Sequence, residues 1–342
     1  MKRRTIIAAF IAAGLALSSQ AAFAQSKYQA EYRLSTVVGT AFPWGKAGER
    51  WGELVKQRTN GRINIKMYPG TSLVAGDQTR EFTAIRQGVI DLAIGSTINW
   101  SPQIKQLNLF SLPFLMPDYA AIDALTSGDV GKDLFRTIEK AGVVPLAWGE
   151  NGFREVTNSK RELRKPEDFK GLKFRVVSQV FMDTFSALGA NPTQMSWADA
   201  QPALASGAVD GQENPLSIFL AVKMHSFGQK NVTTWGYVAD PLIFVVNKEV
   251  WESWSKEDQK AVREAAVEAG KYCIQLARDG MLGASPSIHK TIEGFGVKVV
   301  KLSDDERAAF KKVTRPVYEK WSKQVGPELV KKAEAAVAGR KK

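Results

Sequence analysis

Residues 150–215 open with ENGFREVTNS (150–159), continue through GLKFRVVS (171–178) and close with GAVDGQENP (207–215). Within these three segments, two arginines, Arg154 and Arg175, and the pair Glu213-Asn214 stand among glycines and aromatic residues. No recognisable nucleophile, metal-ligand cluster or phosphate-binding loop lies between them. This combination predicts a pocket that grips an anion rather than one that catalyses a reaction.

Apolar runs alternate with amphipathic segments within this stretch and on both sides of it. In the first hundred residues, helices predicted over Pro43–Arg58 and Asp77–Gln87 separate three strands, which makes a β-α-β-α-β series. Such a series predicts an α/β fold with a largely parallel sheet and helices on both faces. The candidate strands are Tyr32–Val38, Ile63–Tyr68, Ile90–Ile94, Val143–Trp148, Phe153–Thr157, Leu172–Val177, Val209–Glu213, Val232–Tyr237 and Leu242–Val246.

The length of the chain exceeds what one compact core usually holds, which predicts two lobes. No low-complexity linker separates them, so we expect the chain to cross on ordered hinge strands near Trp148–Gly152 and Trp235–Pro241. Repeated crossing leaves a ligand cleft between the lobes. Ser255 and Asp258 fit a helix-capping signature, and no breaker follows before Gly280. We therefore expect a long helix that braces both lobes.

The first 24 residues have the pattern of a secretory signal peptide. Lys2, Arg3 and Arg4 form a positive segment, an apolar run follows from Ile6 to Leu17, and Ala22-Phe23-Ala24 matches a cleavage site. The alternative, a membrane anchor, is disfavoured because about a dozen apolar residues are too few to cross the hydrocarbon core. We expect an exported protein, cleaved near Ala24. The predicted division is 1–24 signal peptide, 28–149 plus 237–280 lobe I, 150–236 plus 281–326 lobe II, and 327–342 basic tail.

Composition argues against several classes of function. The formal net charge is +12, but the basic residues are mixed with acidic ones and spread over helix faces, so no nucleic-acid partner is predicted. His225 and His289, the two histidines of the sequence, stand in no triad or G-x-S-x-G context. The single cysteine, Cys273, rules out an intramolecular disulfide. No Walker loop or metal-ligand cluster is present. We predict a protein that is not an enzyme and needs no cofactor.

Four segments together resemble one known family, the DctP-type substrate-binding receptors of tripartite ATP-independent periplasmic (TRAP) transporters. They are NGFREVTNS (151–159), EDFKGLKFRV (167–176), LGANPTQM (188–195) and VDGQENP (209–215), and their order and spacing make the match specific. The resemblance implies a two-lobed, periplasmic, monomeric receptor that passes its ligand to a sodium-driven membrane permease. Two alternatives stay open: the binding component of an ABC importer, and a sensor that presents ligand to a membrane kinase.

The same resemblance implies roles for individual residues. Arg175 matches the carboxylate-binding arginine of the family, and its planar fork can hold a carboxylate through two hydrogen bonds. Arg154 matches a second arginine that can join this contact, although the adjacent Glu155 offers it a structural partner. Asn214 matches an amide that helps to fix the carboxylate. Trp197 matches an aromatic residue near the ligand.

Further candidates follow strands of the first lobe, where open α/β sheets usually bind ligands. These are the short polar side chains and tryptophans Ser96, Thr97, Asn99, Trp44 and Trp100. A dicarboxylate would need a second cation, from Arg154, Lys46 or Arg80, because an unpaired charge in a closed cleft is costly. The ligand class stays open between a dicarboxylate, a sugar acid, a 2-oxo acid and an aromatic acid.

Overall fold

The structure, a computed structural model, describes residues 28–279 and 288–340. The predicted signal peptide and its cleavage near Ala24 lie outside the described residues. Within those two ranges, no helix has both the length and the apolar character needed to cross a membrane.

Nine strands of the described chain form one sheet, in the order β2-β1-β3-β8-β4-β7-β5-β6, with β9 beside β8. The pairs β1–β2, β1–β3, β5–β6, β5–β7 and β8–β9 are parallel, whereas β3–β8, β4–β8 and β4–β7 are antiparallel. The sheet is therefore mixed rather than largely parallel. The strands are β1 (Tyr32–Ser35), β2 (Ile65–Tyr68), β3 (Leu92–Ser96), β4 (Val143–Asn158), β5 (Lys173–Val176), β6 (Asn191–Gln194), β7 (Gly211–Asn214), β8 (Asn231–Asn247) and β9 (Lys298–Lys301).

Two long antiparallel strands, β4 and β8, connect the lobes. The second half of β8 pairs with β3, and its first half pairs with β9. The last residues of β4 pair with β7. The pattern predicts each of these strands as two short ones, because Gly149, Gly152 and Pro241 resemble breakers. Gly149 pairs with Leu242 and Glu150 pairs with Pro241, and a shift of register between Glu150 and Gly152 accommodates Gly152, so both strands continue through the hinge. The two-lobed fold with hinge strands is confirmed.

Helices cover both faces of the sheet. They are α1 (Pro43–Arg58), α2 (Glu81–Arg86), α3 (Thr97–Trp100), α4 (Tyr119–Ser127), α5 (Asp129–Lys140), α6 (Gln179–Ala187), α7 (Trp197–Ala205), α8 (Leu216–Ala221), α9 (Lys248–Ser253), α10 (Lys256–Asp279), α11 (Ile288–Glu293), α12 (Asp304–Val325) and α13 (Pro327–Ala338). Side chains of β8 alternate between two apolar clusters: Leu242 and Phe244 join one, and Ile243 and Val245 join the other. The sheet therefore separates two cores.

The long helix α10 begins at the predicted cap, where the Ser255 hydroxyl accepts a hydrogen bond from the Asp258 backbone N–H over 3.1 Å. It packs along α1 and along β4. Gly270 permits this close approach, because a Cβ there would lie 2.3 Å from the carbonyl oxygen of Trp148. Near the other end of the helix, Arg278 forms an ion pair with Glu150 at the hinge. The expectation of a bracing helix is confirmed.

The C-terminal residues, described from the sequence only as a basic tail, form the helix α13. Its buried residues Val330, Ala333 and Val337 face the fold, and it packs against α4 and α5. Lys332 pairs with Asp133 of α5 over 2.5 Å. Basic residues are spread along this segment, so its composition draws attention to charge, although its apolar residues have the helical spacing that lets it pack. The exact lobe boundaries stay a prediction.

Candidate ligand-binding site

A cavity lies where segments of the two lobes face each other across the hinge strands. The residues that line it come from the ends of β1, β5 and β7, from the hinge parts of β4 and β8, and from short helical segments. They are Val37, Val38, Trp44, Gln78, Asn99, Asn151, Arg154, Arg175, Val177, Trp197, Asn214, Ile218 and Asp240. Six predicted site residues thus meet here: Arg175, Asn214, Arg154, Trp197, Asn99 and Trp44.

Arg175 sits on β5 and is 1% exposed. Its Nε donates a hydrogen bond to the carbonyl oxygen of Met195 over 3.2 Å, and its guanidinium lies 5.7 Å from the ring centre of Trp197. Within residues 28–279 and 288–340, no carboxylate forms a salt bridge with it, and neither Nη donates a hydrogen bond. Burial lowers the pKa of Arg175 to about 9, and the nearby charge of Glu213 opposes this effect. The site therefore holds a desolvated positive charge whose hydrogen-bonding fork is available to an anion.

Arg154 is also buried, at 3% exposure, but unlike Arg175 it is paired with carboxylates. Its Nε and Nη2 donate to the carboxylate of Glu213, and Nη2 also reaches the Glu213 carbonyl oxygen over 2.8 Å. Its Nη1 donates to Asp240 over 3.3 Å. Burial opposes the charged form, but the two carboxylates outweigh it and raise the pKa of Arg154. The predicted structural partner, Glu155, is not the one used, because neighbouring residues of a strand point to opposite faces.

Asp240 lies in the hinge part of β8, opposite Gly152 of β4. Its Oδ1 accepts a hydrogen bond from the Ser96 hydroxyl over 2.6 Å, and its Oδ2 accepts one from Asn151 over 2.9 Å. Burial raises the pKa of Asp240, while Arg154 and these hydrogen bonds lower it. Its carboxylate is therefore held from both sides of the hinge while it lines the cavity.

Three of the predicted residues lie outside the set that lines the cavity. Ser96 caps α3 by accepting hydrogen bonds from the backbone N–H groups of Ile98 and Asn99, and it donates to Asp240. Thr97 is fully buried. Trp100 is buried against Gly95, where a Cβ would lie 1.8 Å from its ring, and its Nε1 donates to Glu81. Trp100 thus belongs to the core, and Ser96 reaches the site only through Asp240.

Lining residues that the sequence prediction misses include Gln78, Asn151 and Asp240. Gln78 accepts a hydrogen bond at its Oε1 from the backbone N–H of Trp197 over 3.2 Å, a contact between segments more than a hundred residues apart in sequence. Asn151 lies within the opening sequence stretch but has no charge to draw attention. Asp240 precedes Pro241 in a hinge strand, and an acidic residue in an otherwise apolar strand is the signal that could have found it.

Neither Lys46 nor Arg80, the other candidates for a second cation, lines the cavity.

Comparisons with known proteins agree on one family. The model for "Bacterial extracellular solute-binding protein, family 7" (DctP) matches residues 34–324. Among solved structures, the chain is similar to a TRAP periplasmic solute-binding protein from Ralstonia eutropha H16 with bound (S)-2-acetolactate. The identity is 70%, the TM-score is 0.89, and the match covers 92% of this chain and 100% of that one.

Two relatives at lower identity bind other acids according to their names. The 2,3-diketo-L-gulonate-binding periplasmic protein YiaO of Escherichia coli K12 is 31% identical over 314 residues, with 91% of each chain covered. The C4-dicarboxylate-binding periplasmic protein DctP of Rhodobacter capsulatus is 29% identical over 308 residues, with 90% of each chain covered.

Proposed function

We propose, from the premise that this chain belongs to the DctP family of TRAP solute-binding proteins, that it binds a short, branched 2-hydroxy-3-oxo monocarboxylate of the (S)-2-acetolactate class. Members of this family are periplasmic receptors rather than enzymes. The proposed task is to capture the acid and to deliver it to the membrane permease of a sodium-driven TRAP transporter.

The observation that carries this proposal is the state of Arg175. A buried guanidinium is costly unless an anion compensates its charge. No carboxylate of the described residues forms an ion pair with Arg175, although the nearby charge of Glu213 favours its charged form, and Arg175 lines the cavity together with Asn214 and Trp197. A ligand carboxylate placed against its Nη atoms would form the paired, charge-assisted hydrogen bonds that this side chain is built to make. Asn214, at the end of β7, is within the same lining and can donate a further hydrogen bond to the carboxylate.

The number of cations that remain unoccupied at the cavity supports a monocarboxylate rather than a dicarboxylate. Arg154 and Arg175 contribute two positive charges at the cavity, and Glu213 and Asp240 contribute two negative ones. Arg154 is already occupied by the two acids. A second ligand carboxylate would therefore find no cation of its own among the described lining residues, and the cost of such an uncompensated buried charge is several kcal/mol.

The arrangement also supports closure of the lobes around the ligand. Gln78 and Trp197 join segments on opposite sides of the cavity, so their hydrogen bond depends on the closed arrangement. A ligand that engages Arg175 first and then completes contacts with Trp44, Gln78 and Asn99 binds the closed state more tightly, and so shifts the population toward it. Closure removes water, which strengthens the pair between arginine and carboxylate.

A ligand screen by thermal shift and calorimetric titration of the purified protein tests the proposal. The panel contains (S)-2-acetolactate, 2-oxo acids, sugar acids, aromatic acids and succinate, together with a neutral sugar and a peptide. We expect (S)-2-acetolactate to bind most tightly; at a hundred times its dissociation constant, a ligand adds about 2.7 kcal/mol to the free energy of unfolding. A screen that is silent for every carboxylate, but positive for a neutral sugar or a peptide, would contradict the proposed function.

A further inference from the structure

We propose that Asp240 determines the specificity of the cavity: its carboxylate accepts a hydrogen bond from a ligand hydroxyl and keeps a second ligand carboxylate out. The inference rests on the proposed function, because it concerns the part of the ligand that Arg175 does not hold.

The hydrogen bonds of Asp240 leave room for one more donor. An ionised carboxylate offers about four lone-pair positions. Asn151 and Arg154 occupy the two at Oδ2, with donor distances of 2.9 Å and 3.3 Å. The Ser96 hydroxyl occupies one at Oδ1, at 2.6 Å. One acceptor position at Oδ1 remains on a side chain that lines the cavity.

The surroundings of Asp240 hold this acceptor in place. Ser96 is itself fixed, because its hydroxyl oxygen caps α3 through the backbone N–H of Ile98 over 3.1 Å. Arg154 is fixed by its contacts with Glu213. A pre-positioned acceptor favours a ligand that brings a donor, and it leaves a buried polar group short of a partner when the ligand has none.

Asp240 and Arg175 lie at different places in the sheet, so they meet different parts of the ligand. Arg175 is on β5 and Asp240 is on β8, and the strands β7 and β4 lie between them in the sheet. A small acid whose carboxylate meets Arg175 therefore presents a different part of its body to Asp240. A hydroxyl there satisfies the free acceptor position, whereas a carboxylate there places two like charges side by side, and the fork of Arg154 is already taken.

The test compares two ligand pairs on the purified full protein by calorimetric titration. The first pair is 2-hydroxy-2-methylbutanoate and 2-methylbutanoate, which differ only in the hydroxyl. The second pair is 2-methylbutanoate and succinate; succinate lacks the methyl branch and carries a second carboxylate in place of the terminal methyl group. For the parent protein we expect the hydroxyl to improve affinity by about tenfold or more, and succinate to bind at least about tenfold more weakly than 2-methylbutanoate.

The first variant, Asp240→Asn, removes the charge and keeps the shape of the side chain. Asn151 and Arg154 require an acceptor at the Oδ2 position, so the amide oxygen stays there and the amide N–H group replaces Oδ1 beside the cavity. We expect succinate to gain about tenfold or more, whereas part of the hydroxyl preference is retained, because the amide N–H can donate to the ligand hydroxyl oxygen. Binding of 2-methylbutanoate through Arg175 reports that the cavity is intact. Asp240→Ala is the second variant, which removes the charge together with every side-chain donor and acceptor; we expect its hydroxyl preference to fall to within about threefold of unity, with the same gain for succinate.

Asp91→Asn is the matched control, since Asp91 is a buried aspartate paired with an arginine, Arg33, outside the cavity. It should leave both ratios unchanged. The proposal is overturned if Asp240→Ala keeps the hydroxyl preference of the parent, or if neither Asp240 variant gains affinity for succinate. Failure of the parent protein to bind any of these acids would count instead against the proposed function.

Discussion

Two buried arginines lie at one cavity, and their surroundings differ in one respect. At the Arg154 end, formed by Arg154, Glu213 and Asp240, each charge has a partner of opposite sign. At the Arg175 end, formed by Arg175, Met195 and Trp197, the described chain supplies a carbonyl oxygen and an aromatic ring but no carboxylate. Burial is nearly the same at both ends, so burial does not separate them. A buried charge that has partners is compensated within the fold, whereas the one without a carboxylate partner is where we propose that the ligand binds.

The largest effect is expected for a variant that removes the cation from the Arg154 end. In Arg154→Met, Glu213 and Asp240 lose their cation while they remain buried. Removing one partner of a buried ion pair typically costs about 3–5 kcal/mol. We therefore expect the free energy of unfolding, measured by urea titration without ligand, to fall by about that amount. An unchanged urea midpoint would show that the two carboxylates do not depend on Arg154.

Much of this comparison was accessible from the sequence. The order of the four family segments placed Arg175 and Asn214 beside one another at strand ends, where the structure has them. The partner of Arg154 was not accessible in this way, because it comes from β7 and β8 rather than from the neighbouring Glu155. Pairing across strands depends on register, which the local pattern of a short strand does not specify.

A second prediction sharpens the premise that a buried charge without a counterion costs stability. Glu81 is buried away from the cavity and accepts hydrogen bonds from Ser35 and Trp100, but no cation of the described chain pairs with it. Burial raises its pKa from 4.5 to about 7. The folded state then binds a proton that the unfolded state releases, so the stabilisation is complete below about pH 4.5 and is lost as the pH rises through about 7.

Glu81→Gln imitates the protonated form at every pH. Relative to the variant, the parent should lose about 2.5 kcal/mol in free energy of unfolding between pH 5 and pH 8, since each unit of pKa shift corresponds to about 1.4 kcal/mol and this interval spans most of the titration. Urea titrations of both proteins at the two pH values measure this difference. If the free energies of unfolding of the parent and the variant changed by the same amount between the two pH values, the raised pKa of Glu81 would be contradicted.

A third prediction concerns the contact that closes the cavity. In Gln78→Ala, the backbone N–H of Trp197 loses its acceptor from the opposite segment. A hydrogen bond of this kind contributes about 1 kcal/mol, so affinity should fall by about fivefold while the stability without ligand changes less. Gln103→Ala is a matched control, because Gln103 donates to the carbonyl oxygen of Thr79 outside the cavity lining. Equal losses of affinity in the two variants would argue against a role for Gln78 in closure.

The smallest expected effect is at the ring beside Arg175. In Trp197→Phe, the aromatic face near the guanidinium becomes smaller and its attraction for a cation weaker. We expect affinity to fall by about twofold to threefold, with no change in the hydroxyl preference that we assign to Asp240. Trp251→Phe is a matched control, since Trp251 lies 5.0 Å from the guanidinium of Arg263 on the outer helices. A loss as large as that of the Gln78 variant would mean that Trp197 contacts the ligand more extensively than this account allows.

The residues of the first lobe that line the cavity are the part of the site that the sequence predicts least well. Sequence position after a strand points to Ser96, Thr97, Asn99 and Trp100, but of these four only Asn99 lines the cavity. The short helix α3 turns the chain there, so successive side chains point toward the cavity, the core or the helix cap. Asp240 was missed for a related reason: the hinge of β8 is continuous in space but reads as two strands around Pro241.

The most direct test of the central claim is Arg175→Met, with calorimetric titration of (S)-2-acetolactate and urea unfolding without ligand. We predict that affinity falls by about two to four decades, the equivalent of about 3–5 kcal/mol. The free energy of unfolding should stay the same or increase, because a buried charge without a carboxylate partner in the described chain has been removed. Binding as tight as that of the parent, or a loss of stability as large as that of Arg154→Met, would contradict the account.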